Sequence, residues 1–290
     1  MKQSDNYTEK ELAKLQRKIN KIFTRTEKEV VKKALDYLSA FKKEDDDMRY
    51  KFQNKLITDK EYYSWRQAKM ASGKRYNKLL NQINRELIKA GLTAYELING
   101  NIPQIYAANY NSIAEYLNSI VSGYTFNIVN KDVFEQMIDR KEIMLPPPKK
   151  VNIPKLEKWN AKRINGEVLQ GILQGESIPK IAGRLVNVTN SNLYLSNRNA
   201  RTMVTAAQNS GRSAGISRVV SQGAILQKVW MAAHDNRVRN SHATLDGEAC
   251  EHDEAFSNGL KFPGDWNGRP EEVYNCRCTL GVKYIGFRRD

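Results

Sequence analysis

Histidine and cysteine are nearly absent from this 290-residue sequence, and the few that it has fall in one place. The chain has three residues of each type, and all six lie within residues 230–280. An odd number of cysteines, without a secretory leader, argues against a disulfide framework. Imidazole and thiolate groups ligate borderline-soft metals, so their confinement to one stretch indicates a local site.

Long apolar runs are also missing. No stretch of about 18 apolar residues occurs, so we expect no transmembrane helix and no membrane partner. The first residues, M-K-Q-S-D-N-Y, are too polar for a secretory signal, and we expect the protein to start in a cytoplasm. The P-loop, the dinucleotide fingerprint and the H-E-x-x-H and G-x-S-x-G motifs are missing too, so the sequence predicts no enzyme.

Acidic residues are scarce in the middle of the chain. Residues 151–228 hold 11 Lys and Arg but three acids, whereas residues 1–150 hold 28 against 19 and residues 229–290 hold 8 against 10. The net charge of +15 is therefore carried upstream of residue 229. Such a cationic surface attracts polyanions through their phosphates, which favours nucleic acid as a partner. Lysine-rich helix faces are also ordinary solvated surface, and for residues 1–150 this alternative stays open.

The amino-terminal half has the apolar spacing of long amphipathic helices. A T-x-x-E capping box at residues 8–11 is followed by apolar residues at intervals of three and four, and the acidic run at residues 44–47 is expected to end that helix. A second capping box at residues 58–61 begins another helix, for which Gly91 is the expected carboxy-terminal cap.

A third capping box, formed by Thr93 and Glu96, and Pro103 in a first turn predict a further helix. Three consecutive prolines at residues 146–148 then mark a stiff boundary. Beyond it we expect helices over residues 156–173, 177–188 and 197–220. The candidate arginines of this block for contact with DNA or an acidic partner are Arg198, Arg201, Arg212 and Arg218. The alternative, in which this helix is only scaffold, stays open.

These patterns predict a mainly α chain with a small α+β carboxy-terminal domain. The expected segments are an elongated helical domain (residues 1–145), a proline linker (146–150), a basic helical part (151–228) and a small α+β part with histidine and cysteine (229–290). Turn signals between β-branched residues predict a few short strands in the last segment.

Cys276 and Cys278 are the first candidates for a zinc site. Side chains alternate along an extended chain, so both sulfurs can face one ion. His242 could supply a third ligand, and either His234 or Cys250 a fourth, to complete a tetrahedral set. A single C-x-C is less specific than the C-x2-4-C pairs of familiar zinc sites. The alternative, in which the cysteines are small hydrophobic residues and the histidines polar groups, stays open.

An ordered series in this stretch resembles a known family. It reads W-x3-H-D-x-R-V-R-x2-H-x3-D-G, then a phenylalanine, a Pro-Gly turn and N-C-R-C. This series is similar to the carboxy-terminal domain of the phage Mu F-like minor head proteins, also called head morphogenesis proteins. The segments I-T-D-K-E-Y-Y-S-W and I-P-Q-I-Y-A-A-N-Y-N resemble the amino-terminal half of phage minor head proteins. The positions that match the family's pattern are Trp230, Asp235, Arg239, His242, Asp246, Gly247, Phe256, Cys276 and Cys278.

The resemblance implies a structural minor capsid protein of a tailed phage or prophage, with a Mu F-like module formed by the helical block and the short-stranded, loop-rich end. It implies a place in the virion near the portal, after assembly in the host cytoplasm. The expected partners are the portal protein, double-stranded DNA bound without sequence preference, and the major capsid or scaffold protein. His234 and Cys250 lie outside the family's pattern.

Two other functions remain open at this point. The first is a metal-dependent nuclease or hydrolase of a mobile element, in which basic helices grip DNA and the terminal segment cuts it. The second is a zinc-stapled DNA-binding module that has no role in a capsid.

Overall fold

The computed structural model describes residues 1–122 and 125–288. Within these ranges the helices are α1 (Lys2–Ser39), α2 (Lys42–Gln53), α3 (Asp59–Met70), α4 (Gly73–Ile120), α5 (Lys131–Asp139), α6 (Ile153–Leu173), α7 (Ile178–Ser221), α8 (Asn240–Ala243) and α9 (Pro270–Val273). The strands are β1 (Ala224–Met231), β2 (Ala249–Glu251) and β3 (Thr279–Phe287). The prediction of a mainly α chain with a small α+β end is confirmed. None of the helices in the described ranges is long and apolar enough to cross a membrane.

The amphipathic character of α1 is confirmed, but both of its predicted ends are wrong. Its apolar stripe is buried, from Leu12 to Leu38. The helix begins at Lys2, so Thr8 is an interior residue whose hydroxyl donates to the carbonyl of Ser4 at 2.9 Å rather than capping. The acids of residues 44–47 do not end α1, because two of them lie in the first turn of α2, where the helix dipole favours negative charge.

The capping box at residues 58–61 is confirmed. The Thr58 side chain accepts from the backbone N–H of Glu61, and the Glu61 carboxylate accepts from the backbone N–H of Thr58 at 2.8 Å. The apolar stripe beyond it predicted one helix, whereas the chain breaks between α3 and α4. Gly73 has φ +80°, which is the left-handed conformation that glycine tolerates.

The helix boundaries predicted around residue 91 are wrong, because α4 runs through all of them. Gly91, Thr93 and Pro103 lie inside this 48-residue helix. A glycine costs about 1 kcal/mol and a proline about 3 kcal/mol in a helix interior. Burial of the α4 apolar face exceeds these costs. The buried side chains around the predicted breaks are Ala90, Ala94, Ile98, Ile102 and Ile105.

The helical block after the prolines is confirmed, except that two of its predicted helices form one continuous helix. Residues 144–150 are neither helix nor strand, and α6 ends close to the expected position, before Gly175. The two helices predicted over residues 177–188 and 197–220 form the single helix α7. The polar residues between them did not end it, because Asn192 and Ser196 are buried parts of its packed face.

The described structure divides into two compact units, and these differ from the four consecutive segments that the sequence predicted. Unit 1 comprises Met1–Gln16, Leu97–Lys149 and Asn197–Asp290. Unit 2 comprises Arg17–Glu96 and Lys150–Ser196. One boundary, at residues 149 and 150, coincides with the end of the predicted proline linker.

Unit 2 is built from helices around one hydrophobic core. Side chains of α1, α4, α6 and α7 meet there, including Val30, Ile83 and Ile164. Beside the core, the fully buried Arg66 lies 2.9 Å from Asp45 and donates to the carbonyl of Glu176 at 2.7 Å. One arginine thus connects α2 and α3 with the end of α6.

Unit 1 contains the sheet, with strand order β2-β1-β3 and antiparallel pairing throughout. The inward residues of β1 are Ala224, Leu226, Lys228 and Trp230. The buried Lys228 donates to the carbonyls of Glu254 and Lys261, which fixes the loop between them. The sheet packs against the ends of α4 and α7, and the terminal loops close over this core.

Candidate metal centre

Three ligating side chains meet in unit 1. His242 lies in the short helix α8, and Cys276 and Cys278 lie in the extended segment before β3. The His242 Nδ1 atom is 3.6 Å from the Cys276 sulfur and 3.5 Å from the Cys278 sulfur. All three residues are buried, with at most 1% of their surface exposed. The expected alternation holds, because Arg277 between the cysteines points outward and pairs with Asp235 at 2.7 Å.

Helix α7 positions the cysteine segment through polar side chains. The Thr202 hydroxyl accepts from the Asn275 N–H at 2.9 Å, and the Thr205 hydroxyl donates to the Cys276 carbonyl at 2.8 Å. Asn209 donates to the Cys278 carbonyl at 3.0 Å and accepts from the Leu280 N–H at 2.8 Å. The spacing of these three α7 residues places them on one helix face, so one rigid helix sets the backbone on either side of both sulfurs.

The imidazole of His242 is fixed on both sides. The edge of the ring meets Trp230 at 5.1 Å between centroids, and Trp230 in turn packs on Phe256 at 5.2 Å. The Glu272 carboxylate of α9 lies 2.8 Å from His242 Nε2. A carboxylate that bonds one ring nitrogen orients the other, and here the other nitrogen faces the two sulfurs.

The two thiols are electrostatically different. The hydrogen bond from Cys276 lowers the pKa of the Cys278 thiol below its usual range. The same hydrogen bond, together with burial, raises the pKa of Cys276. The thiolate is the form that binds a metal, so Cys278 is the better prepared ligand of the pair.

The other two candidate ligands lie outside this cluster. His234 is exposed, and its Nε2 atom lies 3.5 Å from an Asp246 carboxylate oxygen. Cys250 lies on β2, opposite Lys228 of β1. In the described ranges, the group whose ligand atoms lie within 4.8 Å of one another is His242, Cys276 and Cys278. His234 and Cys250 thus lie outside the group of ligating atoms that the structure brings together.

The remaining residues of the sequence series shape the loops around the cluster. The Asp246 carboxylate accepts from the Ala232 N–H at 2.8 Å, and Gly247 follows with φ +82°. Asp235 accepts from the Arg237 N–H at 2.8 Å, and Arg239 donates to the carbonyl of Tyr274. These positions thus serve turns and loop closure.

The four arginines predicted to contact DNA or a partner are used largely inside unit 1. Arg212 is fully buried and pairs with Asp5 at 2.7 Å, so the prediction is wrong for this residue. Arg201 lies 3.5 Å from Glu9. Arg198 lies over the ring of Tyr274, and Arg218 over the ring of Tyr110.

Sequence reasoning missed the residues that support the cluster. Glu272, Thr205, Asn209 and the buried Lys228 were not predicted to have a role. A signal for two of them exists, because Thr205 and Asn209 are polar residues four positions apart on α7 and both are buried. A polar residue on a buried helix face requires a partner, and here the partner is the cysteine segment.

The structure is that of a mainly helical protein whose short-stranded terminal module surrounds a buried His-Cys-Cys cluster. Residues 162–281 match the family described as Phage Mu protein F like protein. The chain is also 28% identical over 217 residues to minor head protein GP7 of Bacillus phage SPP1, covering 71% of this chain and 68% of that protein. These two matches support the resemblance to the Mu F-like minor head proteins and a structural role in phage head morphogenesis.

A second relative carries a different name. The chain is 26% identical over 171 residues to NAD(+)--arginine ADP-ribosyltransferase EFV of Enterococcus faecalis (strain ATCC 700802 / V583). The match covers 58% of this chain but 33% of that protein. No solved structure matches this chain.

Proposed function

We propose that this minor head protein contacts packaged double-stranded DNA through one face of α4, associates with the portal protein inside the head, and catalyses no reaction. The observation that carries the DNA contact is a cationic helix face without acids. We call it the α4 cationic face; it consists of Lys74, Asn77, Lys78, Asn81, Gln82 and Arg85.

The six residues of the α4 cationic face recur at helical spacing, so they lie on one side of the helix. All six are exposed and together line an open groove. The nearest acid along the helix, Glu86, is 3.5 Å from Lys33 and is engaged there. Lysine and arginine groups of this kind neutralise phosphates, and the amide side chains between them donate to phosphate oxygens.

The distribution of charge over the units supports the same surface. Unit 2, which contains the α4 cationic face, holds 27 Lys and Arg against 14 Asp and Glu, whereas unit 1 holds 20 against 18. Non-specific affinity for DNA depends on such phosphate contacts and falls steeply with salt.

A salt series with labelled duplex DNA tests this contact. The triple variant Lys74→Gln, Lys78→Gln, Arg85→Gln should lower the slope of log affinity against log salt by about one for each lost phosphate contact. The matched control Lys131→Gln, Arg140→Gln, Lys141→Gln removes equal charge from exposed positions of unit 1 and should leave the slope unchanged. Equal losses in both variants, or no binding by the unchanged protein at low salt, would contradict the proposal.

The portal association is what the resemblance to the minor head proteins implies, and it is tested separately. The portal protein encoded by the same phage should copurify with the full chain. Copurification with the major capsid or scaffold protein alone would replace the portal as partner. DNA affinity without entry into particles would instead favour the DNA-binding module that has no capsid role.

The absence of catalysis is supported by the burial of the cluster, because its ligating groups are closed to a substrate. Duplex and single-stranded DNA incubated with the protein and Mg²⁺, Mn²⁺ or Zn²⁺ should stay intact, and NAD⁺ should not be consumed. Strand cleavage would favour the metal-dependent nuclease. Consumption of NAD⁺ would favour the activity in the name of the Enterococcus relative.

A further inference from the structure

We propose that His242 Nδ1, Cys276 Sγ and Cys278 Sγ bind one zinc ion, which ties the terminal loops of unit 1 together. The proposal does not depend on contact with DNA or the portal. It rests on the distances from His242 Nδ1 to the two buried sulfurs and on the carboxylate of Glu272 that holds the imidazole.

The distances match a tetrahedral ion. Zinc lies about 2.0–2.1 Å from a histidine nitrogen and about 2.3 Å from a thiolate, so a tetrahedral angle separates nitrogen and sulfur by about 3.6 Å. The observed separations from His242 Nδ1 are 3.6 Å to Cys276 and 3.5 Å to Cys278. A single ring nitrogen has either one proton or one lone pair, so it forms one strong hydrogen bond and not two equal ones. An ion between the three atoms explains both separations.

The imidazole is oriented for ligation. The carboxylate of Glu272, 2.8 Å from Nε2, accepts a hydrogen bond, so Nε2 carries the ring proton. Nδ1 then presents its lone pair to the two sulfurs. Carboxylate, histidine and metal in this order are the usual arrangement around protein-bound zinc.

The donor set selects the metal. Two sulfurs and one imidazole nitrogen suit zinc, whereas magnesium and calcium take oxygen ligands. The site is buried, and it would connect α8 with the segment before β3. These are short elements in a loop-rich stretch, where a metal cross-link stabilises most.

We assign three protein ligands, although His234 follows directly after a residue that contacts the cluster. That residue is Ala233, whose backbone N–H donates a hydrogen bond to the Cys278 sulfur. Its imidazole is turned outward to Asp246. This assignment makes His234 a discriminating control rather than a ligand.

Metal analysis of the purified full-length protein tests the proposal. The unchanged chain should carry about one zinc per molecule. The variants Cys276→Ser, Cys278→Ser and His242→Ala should each lose the zinc.

Two control variants should keep the zinc. Cys250→Ser changes a cysteine outside the cluster, and His234→Ala changes a histidine beside it. A folded, zinc-free protein would overturn the proposal, as would loss of zinc in Cys250→Ser. Loss of zinc in His234→Ala would overturn the three-ligand assignment.

Because the ligand variants can unfold, cobalt substitution gives a second readout on the unchanged fold. Cobalt(II) should produce an intense thiolate-to-metal absorption band in the unchanged protein and in Cys250→Ser. Absence of this band would overturn thiolate ligation. Glu272→Gln should keep the band but lower the affinity for zinc about 10–100-fold, measured by competition with a chelator. An unchanged affinity would overturn the role given to Glu272.

Discussion

The two units of this protein differ in what holds them together and in what they expose. Unit 2 is entirely helical in its described elements, packs around aliphatic side chains and carries nearly all of the excess positive charge. Unit 1 is close to neutral and contains the sheet and the His-Cys-Cys cluster, which is positioned by polar side chains of α7. Surface charge and ligating chemistry therefore belong to different units, and each can be altered without the other.

Charge counted along consecutive residues does not show which unit carries it, because each unit is built from separate segments of the chain. Residues 1–150 appear uniformly basic, with 28 Lys and Arg against 19 acids. Within them, residues 97–149 belong to unit 1 and hold 4 basic residues against 5 acids. The positive charge is thus concentrated where helices of unit 2 face the solvent.

The largest expected effect concerns the buried arginine of unit 2. Arg66→Met leaves the Asp45 carboxylate, 3% exposed, with its main partner gone. Breaking such a buried pair costs about 3–5 kcal/mol in the free energy of unfolding, measured by urea denaturation. The double variant Arg66→Met, Asp45→Leu removes both charges and should recover most of the loss. If Arg66→Met lowers the free energy of unfolding by less than about 1 kcal/mol, the Arg66–Asp45 pair contributes no more than an exposed ion pair does.

A smaller effect on stability is expected from alanine substitutions at two glycines of α7, one in each unit. In unit 1, a Cβ atom on Gly211 of α7 would lie 2.5 Å from the Tyr106 carbonyl oxygen, so the backbones of α7 and α4 must separate in Gly211→Ala. Overpacking of this kind costs about 1–3 kcal/mol.

The matched control lies on the same helix in unit 2. Gly183 has no atom within 4 Å of its Cβ position, so Gly183→Ala should gain about 0.5–1 kcal/mol from helix propensity. Thermal unfolding of both variants measures the difference. If Gly211→Ala and Gly183→Ala destabilised the protein equally, the close contact at Gly211 would not explain the effect.

The smallest expected effect is a dependence on pH in unit 2. The hydrogen bonds from Thr58 lower the pKa of the Glu61 carboxyl below its unfolded value. Its stabilising contribution is therefore present above the unfolded pKa and is lost as the pH falls through the folded pKa. The variant Glu61→Gln keeps a capping side chain that does not titrate. Between about pH 6 and about pH 3, its unfolding temperature should fall less than that of the unchanged protein. Parallel curves would contradict the role of Glu61.

Sequence patterns predicted the helix faces well and the helix ends poorly. Local signals at Thr8, Gly91 and Pro103 each indicated an end, but the burial of α1 and α4 over their full lengths outweighed them. The box at Thr58 was correct because that helix starts at an exposed turn, where capping groups have no competing partners.

The site was partly predictable for a related reason. His242, Cys276 and Cys278 were singled out because histidine and cysteine occur nowhere upstream of residue 230. Glu272 contacts His242 from α9, and nothing in its local sequence marks it. Arg212 shows the opposite error, since a charged residue on a basic helix is buried against Asp5.

Composition analysis of purified heads shows whether this chain is a structural component of the head. Heads are isolated from a phage or prophage that encodes this chain, washed in high salt, and their proteins quantified by mass spectrometry. We expect a small, fixed number of copies of this chain in every preparation, retained after the wash. A chain that is expressed in the lysate but absent from washed heads would contradict its role as a structural head protein.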